Sequence, residues 1–349
     1  MAGGYRVTTP APRDVWWDLL GADPEAVPYQ SPAWVDSIAA EGKFADASRL
    51  YETPDGRRFV LPLMRRRIPA FIADAASQPH GWGMGGLLSA EPVRPEDVRA
   101  VFADLARLPF VRISIRPNPR AAAVWAAGAP GNVTVKHRRA HVIDLSGGFE
   151  HVSTKLFARN TRTHIRKAER RGGVEVEWDD TGRLLPVFYD LLQRSFDRWA
   201  AQQHEPKFLT RLRGGARDPL SKFQSIAAHM KDACRVYVAR VDGRPAAASV
   251  VLMYGNVNDS RGAMDKDIAG PAAANDLLQA KSIEDACARG CRYYHLGESG
   301  QSESLAHFKE RFGAEPYDYA EYIVEKLPVT RVDAALRNVV KRAIGFKDR

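Results

Sequence analysis

The chain has too few cysteines for a disulfide framework. Three occur in 349 residues, and Cys287 and Cys291, though four apart, have Gly290 beside them and no CxxC or HxxxH nearby to complete a metal set. Free, buried thiols and no metal are the expectation. Long apolar runs are also missing: no segment reaches the 18 or more apolar residues of a membrane helix. The opening MAGGYRVTTPAPRDVWWDLL lacks the basic and apolar regions of a secretion signal, so a cytoplasmic location is expected. Low-complexity tracts and short repeats are absent. The nine histidines include no HExxH, and no Ser-His-Asp or Cys-His set is legible, so no covalent intermediate is expected.

What is present is a globular composition with an excess of positive charge. Hydrophobic residues make up 45% and charged residues 27%, and 51 Lys and Arg against 42 Asp and Glu leave a formal net charge of +9. That length suits two domains with a real core, and that charge suits a polyanionic partner.

Local patterns place helices and strands in alternation. In the first half, helices are predicted over 12–20, over 32–40 with Ser31 as N-cap and Pro32 at the first helical position, and over 95–106. Strands over 48–53 and 58–64 flank the turn Pro54-Asp55-Gly56, and further strands run over 111–116 and 133–145. Gly147-Gly148 reads as a boundary.

The second half opens with a basic helix over 155–171, a strand from Val174, and helices over 184–199, from Phe208 and over 218–232. A hairpin, 235–241 and 245–254, turns at Asp242-Gly243-Arg244. Ser260 to Asp265 reads as a loop before a helix over 275–289, with a strand over 292–296, a short helix over 305–312 and a last strand over 317–324. The fold class is α/β (α+β), two lobes each with a mixed, mostly antiparallel sheet flanked by helices. The boundaries are 1–147, 148–326, and a basic amphipathic tail helix, 327–349, read as docking on the second lobe in preference to a membrane or RNA contact.

Three segments concentrate polar groups. On the basic helix, Arg159, Arg162, Arg166 and Arg170 recur at spacings of three and four with Lys167 beside them. Such a row can meet a chain of phosphates or form a solvated face. After the hairpin comes Asp265, in the region between strand and helix where α/β sheets hold ligands. The third segment is Tyr294-His-Leu-Gly-Glu298-Ser299-Gly300, followed by Leu305-Ala-His-Phe308-Lys309-Glu-Arg-Phe312-Gly313. Glu298 at the strand end is the first candidate for a base or an amine-orienting carboxylate, and Asp265 the second. His295 reads as a core residue.

The order RNxxxxIRKAxxxGGV, VARVDGRPAA, ARGCRYYHLGESG and LxHFKERFGA resembles the FemABX-type and related GNAT-like acyltransferases over about residues 150–325. It extends to the first lobe only through Phe59 to Met64 and Trp82 to Gly86. The resemblance implies attack of an amine on an activated acyl carbonyl, a donor bound by the second lobe and an acceptor in a cleft. It marks the Phe308-Lys309 pair as lying near the transferred group, with Lys309 stabilising the oxyanion. Acceptor contacts are expected at Trp82, Gly85, Gly86 and Ser299, although a tight turn with Trp82 in the core explains the first three equally well.

Family members differ in donor. The acyl-CoA enzymes carry a Q/R-x-x-G-x-G/A loop between strand and helix. Here Arg211 to Ala216 and Gln78 to Gly83 match its letters in the wrong context, and 261–272 lacks it. With the basic helix, that favours aminoacyl-tRNA as co-substrate, with no cofactor. The acceptor would be a small natural-product amine or a cell-wall precursor, for which Arg65-Arg66-Arg67 could supply contacts. The alternatives are an acyl-CoA-dependent N-acyltransferase and a non-enzymatic RNA-binding protein. No DNA partner is expected, since no helix-turn-helix or zinc pattern occurs.

Overall fold

In a computed structural model the described residues are 4–69, 72–202, 206–300 and 302–327. These divide into two compact units: residues 4–140 with 317–327, and His141–Pro316. The division falls at Ala140, not at Gly147-Gly148, and the final strand returns to the first unit. The tail helix expected over 327–349 lies outside the described residues, save Leu327.

The first unit contains β1 (Arg6–Thr8), α1 (Arg13–Ala22), α2 (Pro32–Ala40), β2 (Phe44–Asp46), β3 (Arg49–Glu52), β4 (Arg58–Leu61), β5 (Met64–Arg66), β6 (Asp74–Ala76), β7 (Leu88–Ser89), α3 (Pro95–Leu105), β8 (Arg112–Ile115) and α4 (Ala122–Gly128). The strand β9 (Thr134–Asp144) leads into the second unit. As the turn sequence requires, β3 and β4 form a hairpin, flanked in the order β1-β3-β4-β7. Ser31 Oγ accepts from Trp34 N at 3.1 Å, which starts α2 behind Pro32. Asp97, buried in the first turn of α3, accepts from Arg94 N and from both ends of the Arg57 guanidinium, at 2.8 and 3.0 Å. That charge-assisted pairing makes burial of both charges tolerable. The core gathers Phe59, Leu61, Val98, Phe102, Ile115, Trp125 and Tyr322.

The second unit contains α5 (Gly148–His151), a wide π-turn over Val152–Leu156, α6 (Arg159–Arg171), β10 (Val174–Asp179), α7 (Leu185–Gln202), α8 (Lys207–Arg217), α9 (Leu220–Met230), β11 (Cys234–Val241), β12 (Arg244–Tyr254), β13 (Asn256–Met264), α10 (Lys266–Ala272), α11 (Ala274–Ala288), β14 (Tyr293–Glu298) and α12 (Glu303–Glu310). The strand β15 (Glu315–Glu325) carries the chain back to the first unit, where it pairs antiparallel with β8 in the order β15-β8-β6-β5-β2. The second unit's strand order is β10-β11-β12-β13-β14, antiparallel until the last pair. Asp242 and Gly243 both have positive φ, 49° and 76°, the conformation a two-residue hairpin turn needs. Phe157, Tyr237, Val251, Leu278, Tyr294 and Phe312 pack in one core between sheet and helices.

Two expectations about elements are corrected. Ser260 to Met264 is not a loop but the second half of β13; Ser260, Gly262 and Ala263 have low strand propensity, and pairing along β12 overrides it. The basic helix starts at Arg159 rather than Lys155, because the preceding turn widens at Val152–Leu156.

Candidate functional site

The site is built where β13 and β14 part. Their parallel pairing joins Val257 to Tyr294 and Asn258 to His295. Beyond it β13 follows β12 through a bulge, since Val251 faces Asp259 while Val250 faces Arg261. A bulge bends its strand and re-aims side chains. Asp259 is thus the first residue past the last rung shared with β14.

Lys309 reaches this place from α12. It is 5% exposed, and its ammonium donates to the carbonyl oxygens of Gly297 at 2.9 Å and Glu298 at 2.8 Å. Burial pushes its pKa down to about 8, against the upward pull of Asp259 and Glu298. Burial also pushes the Asp259 carboxyl up to about 6, opposed by the Ser249 hydroxyl, by Lys309 and by Gln279. Ser249 Oγ donates to Asp259 Oδ1 at 2.9 Å. Gln279 extends the network, its Nε2 donating to Tyr294 Oη at 3.2 Å and Ser282 Oγ at 3.3 Å. An ammonium and a carboxylate are therefore held in a low-dielectric setting, each fixed by neighbours that do not titrate near neutrality.

On the other side of the Glu298 peptide, Ser299 Oγ lies 3.2 Å from Nδ1 of His141, a fully buried residue of β9. The Nε2 of the same ring lies 3.4 Å from Glu310 Oε1. His295 is likewise buried, within the core strand β14.

Phe308 is half-buried against the core, 5.2 Å from the Phe312 ring and under the Arg311 guanidinium. Arg311 also pairs with buried Asp276 at the start of α11, and His164 of α6 meets the same carboxylate at 2.9 Å. The helix that presents Lys309 is thus tied to two others.

The sequence-predicted residues do not all meet at this place. Glu298, Ser299, Phe308 and Lys309 do. Asp265 caps α10, accepting from Asp267 N at 3.2 Å, and pairs with Arg194 at 3.1 Å. In the first unit, Trp82 is 6% exposed and packs edge-on against Trp34, whose indole donates to the Trp82 carbonyl. Gly85 N donates to Arg116 O at 2.7 Å, and a Cβ on Gly86 would lie 2.9 Å from Pro117 Cα. Both glycines therefore already have the chain's own backbone as a close neighbour.

On α6 the arginines divide. Arg162 donates to the carbonyls of Thr154 and Phe157, at 2.8 and 2.7 Å, closing the wide turn before the helix. Arg159, Arg166, Lys167 and Arg170 are exposed and make no ion pair with any described residue. Thr161 and Ala168 are buried on the opposite face, with Ile165 packed on the core.

Asp259, Ser249, Gln279 and His141 were not singled out from sequence. The signal available was Asn256-Val-Asn-Asp259-Ser, a cluster of polar residues between apolar strands. Of the two sequence matches to a pyrophosphate loop, Arg211 to Ala216 lies inside α8, where the helix uses its own N–H groups. Between β13 and α11 stands the short helix α10. Among the described residues, no three His, Cys, Asp or Glu side chains are grouped to hold a metal, and no helix is long and apolar enough to cross a membrane. The cysteines are free, and burial pushes the Cys234 thiol to about 12.

Residues 155–317 match the family described as an acetyltransferase (GNAT) domain. No curated protein matches the chain. Among solved structures, it is similar to FemX at 12% identity and a TM-score of 0.68, covering 94% of this chain and 99% of that one. A conserved protein of unknown function from Bacteroides thetaiotaomicron VPI-5482 follows at 11% identity, TM-score 0.55 and coverage of 91% and 98%. The C-terminal domain of a putative lysylphosphatidylglycerol synthetase from Agrobacterium fabrum has 15% identity, TM-score 0.52 and coverage of 95% and 97%. Residues 155–317 are thus a GNAT-type domain, in a chain whose fold is FemX-like. The protein is an acyltransferase.

Proposed function

We propose that this acyltransferase moves an aminoacyl group from aminoacyl-tRNA to an amine, forming an amide. The observation that carries the donor assignment is the row Arg159, Arg166 and Arg170, with Lys167 beside it, solvent-facing and without carboxylate partners among the described residues. Exposed cations in a row bind a phosphate backbone by releasing its counterions. The likeness to FemX and the sequence resemblance to FemABX enzymes support the same reading, as does the absence of the acyl-CoA loop from 261–272. The runner-up is an acyl-CoA donor.

In this reading the ester is already activated, so the enzyme supplies position, charge and exclusion of water. Lys309 is the oxyanion donor. Two of its protons are held by the Gly297 and Glu298 carbonyls, which fixes the direction of the third. Phe308 and Phe312 anchor its helix. The acceptor would be a small amine or a cell-wall precursor.

The deciding experiment mixes the protein with charged tRNA and a panel of amines and follows acceptor-dependent deacylation. Amide formation that stops on ribonuclease treatment is expected. Equal transfer from acetyl-CoA after all RNA has been removed would replace this donor with the runner-up.

A further inference from the structure

We propose that Ser299, His141 and Glu310 form a proton relay that takes the amine's proton during acyl transfer. The inference rests on the amine-transfer reading and adds residues to it. The three groups come from β9, the turn after β14 and the end of α12, and meet within one unit. Ser299 Oγ lies 3.2 Å from His141 Nδ1, and His141 Nε2 lies 3.4 Å from Glu310 Oε1. A carboxylate beside Nε2 favours the tautomer with its proton there. Nδ1 then carries the lone pair and accepts the Ser299 hydroxyl proton. In turn, the hydroxyl oxygen can accept a proton from an amine. His141 is fully buried and the Glu310 side chain is 47% exposed, so solvent meets the carboxylate, while the hydroxyl, next to the Glu298 peptide, is the end beside Lys309.

The position fits the chemistry. Ser299 is joined by one peptide bond to Glu298, whose carbonyl accepts from Lys309 at 2.8 Å. Proton acceptor and ammonium thus flank a single peptide. As the amine nitrogen bonds to the acyl carbon, the carbonyl electron pair moves to oxygen. One N–H proton passes to Ser299 Oγ while the serine's own proton passes to His141 Nδ1. Glu310 balances the imidazolium. On collapse, the carbonyl re-forms and the bond to the leaving oxygen (or sulfur) breaks. The proton then returns through Ser299 to that leaving atom. No further reactant is needed.

The test compares wild type with S299A and H141Q, using an alkyl amine and hydroxylamine as acceptors and the donor the wild type accepts. Alkyl amines need a base; hydroxylamine gives an adduct acidic enough for water to deprotonate. With alkyl amines, kcat should fall on the order of a hundredfold with donor KM unchanged, whereas hydroxylamine transfer should fall only a few-fold. S299A carries the test if H141Q fails to fold. An equal loss with both acceptors, or no loss with either, overturns the relay. So does an acyl group found on Ser299 by mass spectrometry after mixing with donor alone, since the serine would then be a nucleophile. A wild type that acylates no amine sinks the amine-transfer reading and the relay together; an active wild type with unimpaired S299A sinks the relay alone.

Discussion

Lys309 meets Glu298 through the peptide carbonyl, at 2.8 Å. The lysine is therefore held by backbone that no side-chain substitution at 298 removes. K309M keeps much of the apolar stem and loses the charge. It is expected to cut kcat about a hundredfold with little change in donor binding, measured by single-turnover kinetics. In the wild type the charge is present below about 8 and is lost above it, so turnover should decline as pH rises through that value.

Asp259 sets where that decline begins. Its negative charge raises the Lys309 pKa, and removing it should lower the pKa. D259N is expected to move the alkaline limb of the kcat profile below about 8, by roughly one unit. The carboxyl itself, raised to about 6, is charged above that value, so in the wild type its support for the lysine is present above about 6 and fades below it. An alkaline limb that stays in place in D259N would separate the two groups.

Arg162 and Arg166 should behave differently though they share a helix. Arg162 satisfies two carbonyls of the wide turn, so R162A should cost about 1–3 kcal/mol of stability, read as a lower Tm. R166E should leave Tm nearly unchanged, weaken tRNA binding and flatten its salt dependence. A normal melting curve for R162A would deny it the structural role.

Gly86 has a φ of +94°, and an added Cβ would approach Pro117 Cα at 2.9 Å. G86A should destabilise the fold by about 1–3 kcal/mol from backbone strain alone, seen in denaturant titration. Full stability in G86A with impaired acceptor KM would instead favour a direct acceptor contact.

The α/β class and most elements were legible because apolar periodicity and turn residues agree along the chain. Examples are Asp242-Gly243 at the hairpin and Ser31-Pro32 at the start of α2. The candidate site was legible only in part. Lys309, Glu298 and Ser299 lie close in sequence, and a family resemblance pointed to the lysine. Asp259 was hidden because β13 is made of residues that favour turns, and its strand state comes from neighbours distant in sequence. His141 was hidden because its partners are more than 150 positions away. Arg162 shows the converse limit: helical spacing grouped it with three solvent-facing arginines, and only the wide turn before α6 reveals a different task.

The return of β15 to β8, with Tyr322 opposite Ile115 and Val324 opposite Ile113, has a consequence for synthesis. The first unit is discontinuous in the chain, with residues 141–316 of the second unit lying between its described segments. A ribosome releasing the chain from the N-terminus delivers the partner of β8 about two hundred residues after β8 itself, so the unit begun first is completed last. Until then β8 offers an unsatisfied backbone edge to other nascent chains, and a gene fragment cut at the glycine pair after β9 would encode that vulnerable state permanently.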